Sequence, residues 1–426
     1  MRIEKKVILH EVEIPFQFFN CPFSILENVS LHKNYRMTAQ VELLTSKLQT
    51  IERKHPWIFS GALVKMPENL ADGEIVQVVN KRKEVLAVGH FNHGSIAVRV
   101  LAFNDITIDQ DFYNTRIQNA VNLRLALNLF NEDNNIFRLV HGEGDELPGL
   151  IIDFYNGVAV VQCHSVGMWR NIDLINNALQ FALKDKLTAV YHKSKETLPG
   201  RIETTDEYLF GSVEVPHTAK ENGVLYNINW ISGQKTGFFI DQRENRSLLA
   251  QYSNNKKILN TFCYSGGFSC AALRNGATEV HSLDSSKKAI ELVDANVALN
   301  NFQAPHQSIV ADAMSFIRDL GESYDIIILD PPAFAKHRDK RHQAVQGYKR
   351  LNAMAMQHIK PGGLLMTYSC SQVVDKTLFT NTIIAAAIES GRSVKILHQL
   401  HQPADHPISA FHPEGEYLKG LMLQVN

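Results

Sequence analysis

After Gly237 the chain alternates regularly between short apolar segments and helical segments. The apolar segments have the length of strands and cover residues 257–262, 279–284, 307–311, 324–329 and 363–369. Helical periodicity lies between them, most clearly at residues 287–300 and 347–358. Alternation of this kind predicts a parallel sheet with helices on both faces. Residues 393–397 and 418–424 predict a further antiparallel pair, joined by a proline-containing connection.

The part of the chain before this alternation is organised differently. Segments of strand length cover residues 41–48, 74–79, 85–91 and 96–101 and predict a small β-rich module. A helical stretch over 111–131 follows, and Asn156-Gly157 predicts a hairpin between strands at 150–154 and 158–162. Helical periodicity over 168–183 and strands at 189–193 and 207–215 complete a middle block. The predicted divisions are an extension (1–36), a β-rich module (37–110), an α+β connecting block (111–232) and an α/β domain (233–426).

Composition limits the classes of function. A chain of 426 residues exceeds a single core, and its formal net charge of -1 means that any nucleic-acid site is a local patch. The five cysteines form no CxxC pair, so the spacing predicts no metal site and suits a reducing compartment. No apolar run is long enough for a membrane span. We therefore expect a cytoplasmic protein without a metal or a membrane partner.

Residues 1–36 lack an uninterrupted apolar region and a small-residue cleavage site, so they do not resemble a secretory signal. We expect an arm or translated upstream stretch outside the fold, because Met37 begins a segment typical of a natural start. An extension that contacts a partner is the alternative. The oligomeric state is left open, with a homodimer as one candidate.

A glycine turn follows the first strand of the alternating region. Residues 258–269 read ILNTFCYSGGFS, in which a buried strand enters a turn that opens a helix. Glycine permits close approach of the backbone to a ligand. Asp284 ends the next strand and can accept hydrogen bonds from both ribose hydroxyls of a nucleotide-like ligand. The turn is not GxGxxG, which disfavours a dinucleotide.

Two more acidic residues, Asp312 and Asp330, follow the next two strands. The carboxyl ends of parallel strands meet at one edge of a sheet, where ligands bind near the point at which strand order reverses. Each carboxylate alone is commonly a helix cap or a solvated loop residue. Their joint placement predicts a binding crevice.

These elements resemble a class I S-adenosylmethionine-dependent methyltransferase, and more closely the ribosomal RNA large subunit methyltransferase I family. The resemblance covers almost everything after Met37. The segments that carry it are residues 54–61 (KHPWIFSG), 142–150 (GEGDELPGL), 236–243 (TGFFIDQR), 264–268 (YSGGF), 330–334 (DPPAF) and 368–371 (YSCS). It implies a Rossmann-like α/β methyltransferase domain, preceded by a PUA domain that binds RNA and by an α+β connecting domain.

The resemblance also implies S-adenosylmethionine as cofactor and large-subunit ribosomal RNA as partner. The residues expected at the donor are Phe239, Asp241, Arg243, Phe262, Tyr264, Ser265, Gly266, Gly267, Phe268, Asp284, Asp312 and Asp330. Asp284 would contact the ribose and Asp312 the adenine amino group. For Asp241 and Arg243 the structural alternative is a salt-linked helix start.

The family makes 5-methylcytosine in 23S ribosomal RNA, and that chemistry requires a nucleophile. Carbon 5 of cytosine becomes reactive when a cysteine thiolate adds to carbon 6. Cys370 follows the strand next to the one that delivers Asp330, so we expect Cys370 as nucleophile and Asp330 as the acid that binds the base. Cys263 and Cys270 lie in the donor turn and the following helix and are expected to be buried and inert.

The segment after Asp330 is expected to contact RNA. Many RNA cytosine methyltransferases place a second cysteine directly after Pro-Pro, where this chain has Ala333, so the proton-removing base stays unnamed. A basic loop follows, although charge runs are commonly just solvated. The residues expected to bind substrate are Pro331, Pro332, Phe334, Lys336, Arg338, Lys340 and Arg341.

Two other functions stay open. Amino-group methyltransferases of guanine or adenine place an aromatic residue directly after Pro-Pro, whereas Phe334 stands one position later, which weakens that alternative. A non-catalytic RNA-binding protein with a methyltransferase fold is the second alternative. Trp57 and Phe59 of the N-terminal module are candidates for base stacking and equally for core packing.

Overall fold

The computed structural model describes residues 38–200, 202–320, 324–335 and 337–426. Residues 38–426 pack as one unit. The extension expected at residues 1–36 lies outside the described residues. No helix in the described ranges is long and apolar enough to cross a membrane.

The N-terminal module is a five-stranded sheet in the order β1-β3-β4-β5-β2. Its elements are β1 (Ala39–Glu42), α1 (Gln49–Glu52), β2 (Trp57–Phe59), β3 (Ile75–Val79), β4 (Val85–Phe91) and β5 (Ile96–Ala102). Val76, Val78 and Val98 are fully buried, as expected for β-branched residues on the inner face of a sheet. The strand predicted at 41–48 is wrong beyond Glu42, because the exposed segment Thr45–Lys47 forms a 3-10 helix.

The middle block is a second five-stranded sheet, in the order β10-β9-β8-β7-β6, covered by helices. Its elements are α2 (Gln110–Ala126), β6 (Ile136–His141), β7 (Leu150–Tyr155), β8 (Val158–Cys163), α3 (Val166–Arg170), α4 (Ile172–Leu183), β9 (Ala189–His192), β10 (Glu207–Phe210), β11 (His217–Glu221) and β12 (Val224–Ile228). The hairpin predicted at Asn156-Gly157 is confirmed, with positive φ angles of 43° and 92°. The prediction missed β6 and the separate β11–β12 hairpin.

The C-terminal domain is a seven-stranded sheet in the order β15-β14-β13-β16-β17-β19-β18. Its elements are α5 (Arg243–Tyr252), β13 (Lys257–Thr261), α6 (Gly267–Arg274), β14 (Glu279–Asp284), α7 (Lys287–Asn300), β15 (His306–Val310), α8 (Ala313–Arg318), β16 (Ile326–Leu329), α9 (Arg341–His358), β17 (Gly363–Ser369), α10 (Lys376–Ser390), β18 (Val394–His401) and β19 (Lys419–Val425). Strands β13 to β17 are parallel, and β19 runs antiparallel between β17 and β18. The predicted parallel sheet and antiparallel pair are confirmed.

The strand order creates the crevice. From β13 the chain moves outward to β14 and β15, and then returns to β16 on the other side of β13. Ligands bind in doubly wound sheets at such a reversal, because the loops leaving the two central strands diverge. The turn after β13 and the loops after β16 and β17 therefore border one cleft.

Asp405 joins the C-terminal domain to the middle block. Its side chain is completely buried and accepts two hydrogen bonds from the Arg243 guanidinium, at 2.6 and 3.0 Å. It also accepts one from the backbone N–H of Arg138, at 2.8 Å. Burial alone would raise the pKa of Asp405, but His406 and Arg243 hold it well below its usual range. The carboxylate is thus charged and bonded to both parts of the molecule.

Candidate active site at the carboxyl edge of the sheet

The turn after β13 has an unusual backbone. Phe262 and Tyr264 have φ angles of 55° and 46°, in the left-handed region that side chains rarely adopt, and Gly266 has 77°. A Cβ on Gly266 would lie 3.0 Å from Cγ1 of Val293. The turn is therefore held open as a narrow backbone cradle at the start of α6, and this geometry fits an adenosine-type ligand.

Two aromatic rings and a carboxylate border this cradle. The rings of Phe239 and Tyr264 meet edge to face with centroids 5.0 Å apart. Asp284 is partly exposed and accepts hydrogen bonds from the backbone N–H groups of Tyr264, at 3.1 Å, and Ser286, at 2.9 Å. A carboxylate has about four acceptor sites, so Asp284 retains capacity for ribose hydroxyls.

Of the other predicted donor residues, one is an exposed helix cap and two are buried beneath the surface. Asp312 is exposed and caps α8 by accepting from the Ser315 N–H at 2.9 Å, which is the structural role foreseen for an isolated acid. Ser265 and Phe268 are both 6% exposed, and the Phe268 ring packs in the core 5.8 Å from Tyr368. Phe268 therefore supports the turn from beneath rather than facing the crevice.

Asp330 directly follows β16 and is the most perturbed acid of the cleft. Its Oδ2 accepts from Nε2 of Gln242 at 2.9 Å, and Oε1 of Gln242 in turn accepts from Asn245 at 2.6 Å. Burial raises the pKa of Asp330 to about 7, and the neighbouring Asp241 carboxylate adds to the rise. Asp330 therefore holds a proton for much of the time at neutral pH.

Cys370 directly follows β17, the strand that pairs with β16. It is partly exposed, unlike the other free cysteines among the described residues. Burial raises the pKa of its thiol, Asp330 and Asp241 raise it further, and Lys419 opposes them. The thiol and the Asp330 carboxyl therefore interact electrostatically at one mouth of the crevice.

Lys419 supports the segment that carries the thiol. It is 6% exposed, and its Nζ donates to the carbonyl oxygens of Ser371 and Tyr417, both at 2.8 Å. The Ser371 hydroxyl donates to the carbonyl oxygen of Ala335 at 2.7 Å, which ties the loop after Asp330 to the loop after Cys370. The two loops are thus held together by side chains rather than by the sheet.

The other described cysteines are buried, as expected for Cys263 and Cys270. Burial raises the pKa of Cys163 and of Cys270 to about 12, and raises that of Cys263 above its ordinary range. A thiol with so high a pKa is a poor nucleophile at neutral pH. Cys370 is the cysteine that the described structure leaves accessible.

Arg243 and Phe334 take structural positions. The Arg243 guanidinium donates two hydrogen bonds to Asp405. This geometry matches the alternative of a salt-linked helix start rather than a contact with the methyl donor. Asp241 instead accepts from the Tyr417 hydroxyl at 2.9 Å. The Phe334 ring packs 4.6 Å from the Tyr348 ring, which turns it inward rather than towards a base.

The basic loop is exposed beside this cleft. Arg338, Lys340 and Arg341 are all exposed, and none forms an ion pair with the described part of the chain. Pro331 is buried and Pro332 is exposed. Lys336, also expected to contact substrate, lies outside the described residues. Three exposed cations without acidic partners are suited to phosphate contacts.

Sequence analysis missed three residues of the crevice. Gln242 bonds Asp330, Tyr417 bonds Asp241, and Lys419 stands beside the thiol. Gln242 lies inside the segment 236–243 that carried the family resemblance, so that segment could have identified it. Tyr417 and Lys419 precede and begin β19, and only the antiparallel insertion of β19 next to β17 brings them to the site.

Fold and site define an S-adenosylmethionine-dependent methyltransferase. The family model for that class matches residues 137–422, and the model for a PUA-like domain matches residues 41–103. A ribosomal RNA large subunit methyltransferase I from Alteromonas mediterranea is 37% identical over 397 residues, covering 91% of this chain and 99% of the relative. The Escherichia coli protein of the same name is 35% identical over 400 residues, covering 91% and 100%. The chain belongs to the ribosomal RNA large subunit methyltransferase I family.

Solved structures agree on the fold. A SAM-dependent methyltransferase from Streptococcus mutans superposes with a TM-score of 0.78 at 21% identity, covering 91% of this chain and all of the other. A methyltransferase complexed with SAH gives the same TM-score and identity. The predicted fold class, a PUA-like domain before an α/β methyltransferase domain, is therefore confirmed. The predicted cofactor is confirmed by the family model for S-adenosylmethionine-dependent methyltransferases.

Proposed function

We propose that this protein transfers a methyl group from S-adenosylmethionine to carbon 5 of a cytosine in large-subunit ribosomal RNA, through a covalent adduct of Cys370. The names of the relatives support the RNA substrate. One observation supports the cytosine chemistry: a partly exposed thiol beside a carboxyl whose pKa burial raises to about 7. A thiol and a proton donor are the two groups that activation of a pyrimidine ring requires.

The donor is held by the cradle after β13. S-adenosylmethionine supplies an electrophilic methyl group when it is bound. The backbone of the turn from Tyr264 to Gly266 lines its site, Phe239 and Tyr264 provide apolar walls, and Asp284 accepts hydrogen bonds from the ribose. Asp312 is left to contact the adenine amino group with the carboxylate oxygen that does not cap α8.

Asp330 and Cys370 act on the cytosine ring. Protonated Asp330 donates to N3, so the ring can accept an electron pair there. The Cys370 thiolate would form a bond to carbon 6, and the C5–C6 π electrons would shift through carbon 4 towards N3, which takes the Asp330 proton. Carbon 5 of the resulting enamine would then bond to the methyl carbon as the methyl–sulfur bond breaks and S-adenosylhomocysteine leaves, while N3 returns its proton to Asp330. A base removes the carbon 5 proton, the electrons of that C–H bond restore the double bond, and the S–C6 bond breaks to return the thiolate.

In the proposed reaction, Cys370 and Asp330 share a single proton. The reactive form has a thiolate at Cys370 and a protonated carboxyl at Asp330, which together carry a single negative charge. Because the Asp330 carboxylate raises the pKa of the thiol, protonating Asp330 makes the thiolate easier to form. Lys419 stabilises the thiolate from the other side and keeps the Ser371 carbonyl in place.

The basic loop would guide the RNA. Arg338, Lys340 and Arg341 would contact phosphates near the crevice, with Pro332 on the same proposed surface. Lys336 is kept as a substrate contact on the sequence alone, since it lies outside the described residues. Phosphate contacts orient an RNA but do not select a base. Selection of cytosine would then rest on Asp330, which can bond N3 and the adjacent amino group.

The decisive experiment traps the adduct. An RNA fragment with 5-fluorocytidine at the target position is mixed with the protein and S-adenosylmethionine, and intact mass is measured. Fluorine at carbon 5 cannot leave as a proton, so the proposed reaction stops at the protein–RNA adduct. We expect a covalent complex with the native protein and none with Cys370→Ala, whereas Cys270→Ala, which alters a buried cysteine, retains it.

Nucleoside mass spectrometry of ribosomal RNA from cells with and without the gene completes the test. Loss of one 5-methylcytosine on deletion supports the proposal. If deletion instead removes an N-methylated guanine or adenine, and Cys370→Ala retains that modification, the proposal is contradicted and amino-group methylation is favoured. Absence of donor binding in a calorimetric titration would favour a non-catalytic RNA-binding protein.

A further inference from the structure

Two histidines and a glutamate meet where the N-terminal module contacts the loop before β19. His55 precedes β2, while His412 and Glu414 lie in that loop, so the cluster joins two distant parts of the chain. Nε2 of His55 is 3.6 Å from Oε2 of Glu414, and Nε2 of His412 is 3.9 Å from the same oxygen. One ligand atom from each of the three residues lies within 4.8 Å of the others.

His412 has no protein partner for its ring. It is 4% exposed, and neither ring nitrogen forms a hydrogen bond within the described residues. Its ring stands 4.3 Å from that of Trp57 and 5.5 Å from that of His55. A buried polar group without a partner is uncommon in native structures and points to a bound ion or water.

The contacts of the imidazoles suit a metal. Both ring nitrogens of His412 lack a hydrogen-bond partner among the described residues, so either nitrogen is available to ligate an ion. Nδ1 of His55 lies 3.1 Å from both the carbonyl oxygen and the backbone nitrogen of Trp57. In the tautomer that donates Nδ1–H to the carbonyl oxygen, the Nε2 lone pair faces Glu414, and ligating histidines commonly make this backbone contact.

We propose that His55, His412 and Glu414 bind one Zn²⁺ ion, which links the PUA-like domain to the methyltransferase domain. Two imidazoles and one carboxylate form a donor set that favours zinc over magnesium or calcium. Zinc–ligand bonds of about 2.1 Å place tetrahedral ligand atoms roughly 3.4 Å apart, so only a small closure of the cluster is required. A water completes the coordination.

The cysteine spacing gave no sign of this site. The prediction of no metal rested on the absence of a CxxC pair, whereas these three residues come from distant parts of the chain and form no local motif. The cluster includes neither Cys370 nor Asp330, and the proposal does not depend on the proposed reaction. Its role is to fix the PUA-like domain against the loop that leads into Lys419.

The test uses the full chain freed of metal with a chelator and then titrated with Zn²⁺ alone in a calorimeter. We expect one equivalent of Zn²⁺ to bind, and the melting temperature to rise with added Zn²⁺ and to fall again with chelator. His412→Phe, which keeps an aromatic ring among Trp57 and His55, and His55→Gln should each weaken binding at least about tenfold, since even outer partners of metal sites contribute that much.

His358→Gln is the matched control, because it removes a histidine at the end of α9 and should leave the affinity unchanged. His55→Gln and Glu414→Gln, at less buried positions, keep the test valid if His412→Phe folds poorly. The inference is overturned if the native protein takes up no Zn²⁺. It is equally overturned if the three variants bind Zn²⁺ as tightly as the native chain does, because the ion would then lie elsewhere.

Discussion

The two sides of the crevice are built by different means. On the donor side, Asp284 and Asp312 accept hydrogen bonds from backbone N–H groups two and three residues away, and Asp284 also accepts one from Tyr264 in the turn after the preceding strand. On the target side, Asp330 is bonded by the side chain of Gln242, and Cys370 is supported by Lys419 from another strand. The first side is local in sequence and the second is assembled from distant segments.

This difference follows from what each side must do. A donor that binds in one orientation needs rigid groups of constant charge, and backbone N–H groups provide them. In the proposed reaction the target base would be protonated and attacked, and these steps need groups whose charge can change. Burial and the Asp241 carboxylate put the pKa of Asp330 at about 7, which makes that change accessible at neutral pH.

The largest expected effect is on the target side. Asp330→Asn should lower kcat by roughly 10³-fold, because an amide can bond N3 but cannot transfer a proton to it. Methyl transfer from labelled donor to an RNA fragment measures the rate, and donor affinity should stay within about twofold. Asp339→Asn, in the exposed loop, is the control, and a full rate in Asp330→Asn would remove Asp330 from the chemistry.

The same variant should move the pH profile. Below pH about 7 Asp330 and Cys370 both hold protons, so raising the pH through that value creates the one-proton pair and increases the rate. At still higher pH, above the raised pKa of the thiol, both Asp330 and Cys370 are deprotonated. The rate then falls, because Asp330 has no proton to donate to N3. In Asp330→Asn the rise should occur at higher pH, where the thiol alone titrates.

Asp284→Ala should act only on the donor side. Loss of charged hydrogen bonds to the ribose is expected to weaken S-adenosylhomocysteine binding by about 10- to 100-fold in calorimetry. Alkylation of Cys370 by iodoacetamide should proceed at the native rate. Glu291→Ala, which removes an exposed acid on α7, serves for comparison. A slower alkylation in Asp284→Ala would mean that the two sides are coupled.

Lys419→Met tests the support of the thiol. The change removes the cation that opposes Asp330 and Asp241, so the pKa of Cys370 should rise and alkylation at fixed pH should slow about tenfold for each unit. The measurement is the pH dependence of alkylation by mass spectrometry. Lys419→Arg should restore the pKa partly. A purely structural role would change the rate without moving this pKa.

The smallest effect separates the two roles of Asp312. Asp312→Ala should lower the free energy of unfolding by about 1 kcal/mol in urea, because α8 loses its cap. Asp312→Ser keeps a capping oxygen and removes the charge, so its stability should be close to native. If both variants bind S-adenosylhomocysteine as the native protein does, Asp312 is a cap and nothing more.

The elements of the donor side could be predicted from the sequence more closely than those of the target side. The turn at Tyr264 and the acid at Asp284 follow strands that adjoin in the chain, and β14, α7 and β17 have the predicted bounds. Lys419 and Tyr417 reach the pocket only because β19 inserts between β17 and β18. No local pattern encodes that order, since apolar strands look alike wherever they pair.

Misassigned elements have a similar cause. Residues 41–48 contain apolar positions that suggested one strand, yet Thr45, Ser46 and Lys47 are exposed and turn away from the sheet. Helix α9 begins at Arg341 rather than near residue 347, because its first turn is polar and carries no apolar periodicity. Periodicity detects a buried face and is silent where an element projects into solvent.

The buried carboxylate of Asp405 has a consequence for which nucleotide of an RNA the protein can reach. Separating the middle block from the catalytic domain would leave the buried charge of Asp405 without some of its partners. The two parts therefore cannot move apart at low cost in free energy. In the proposed reaction, the distance between Cys370 and the surface that contacts the RNA would therefore be fixed by the protein. The shape of the RNA would then decide which nucleotide reaches Cys370.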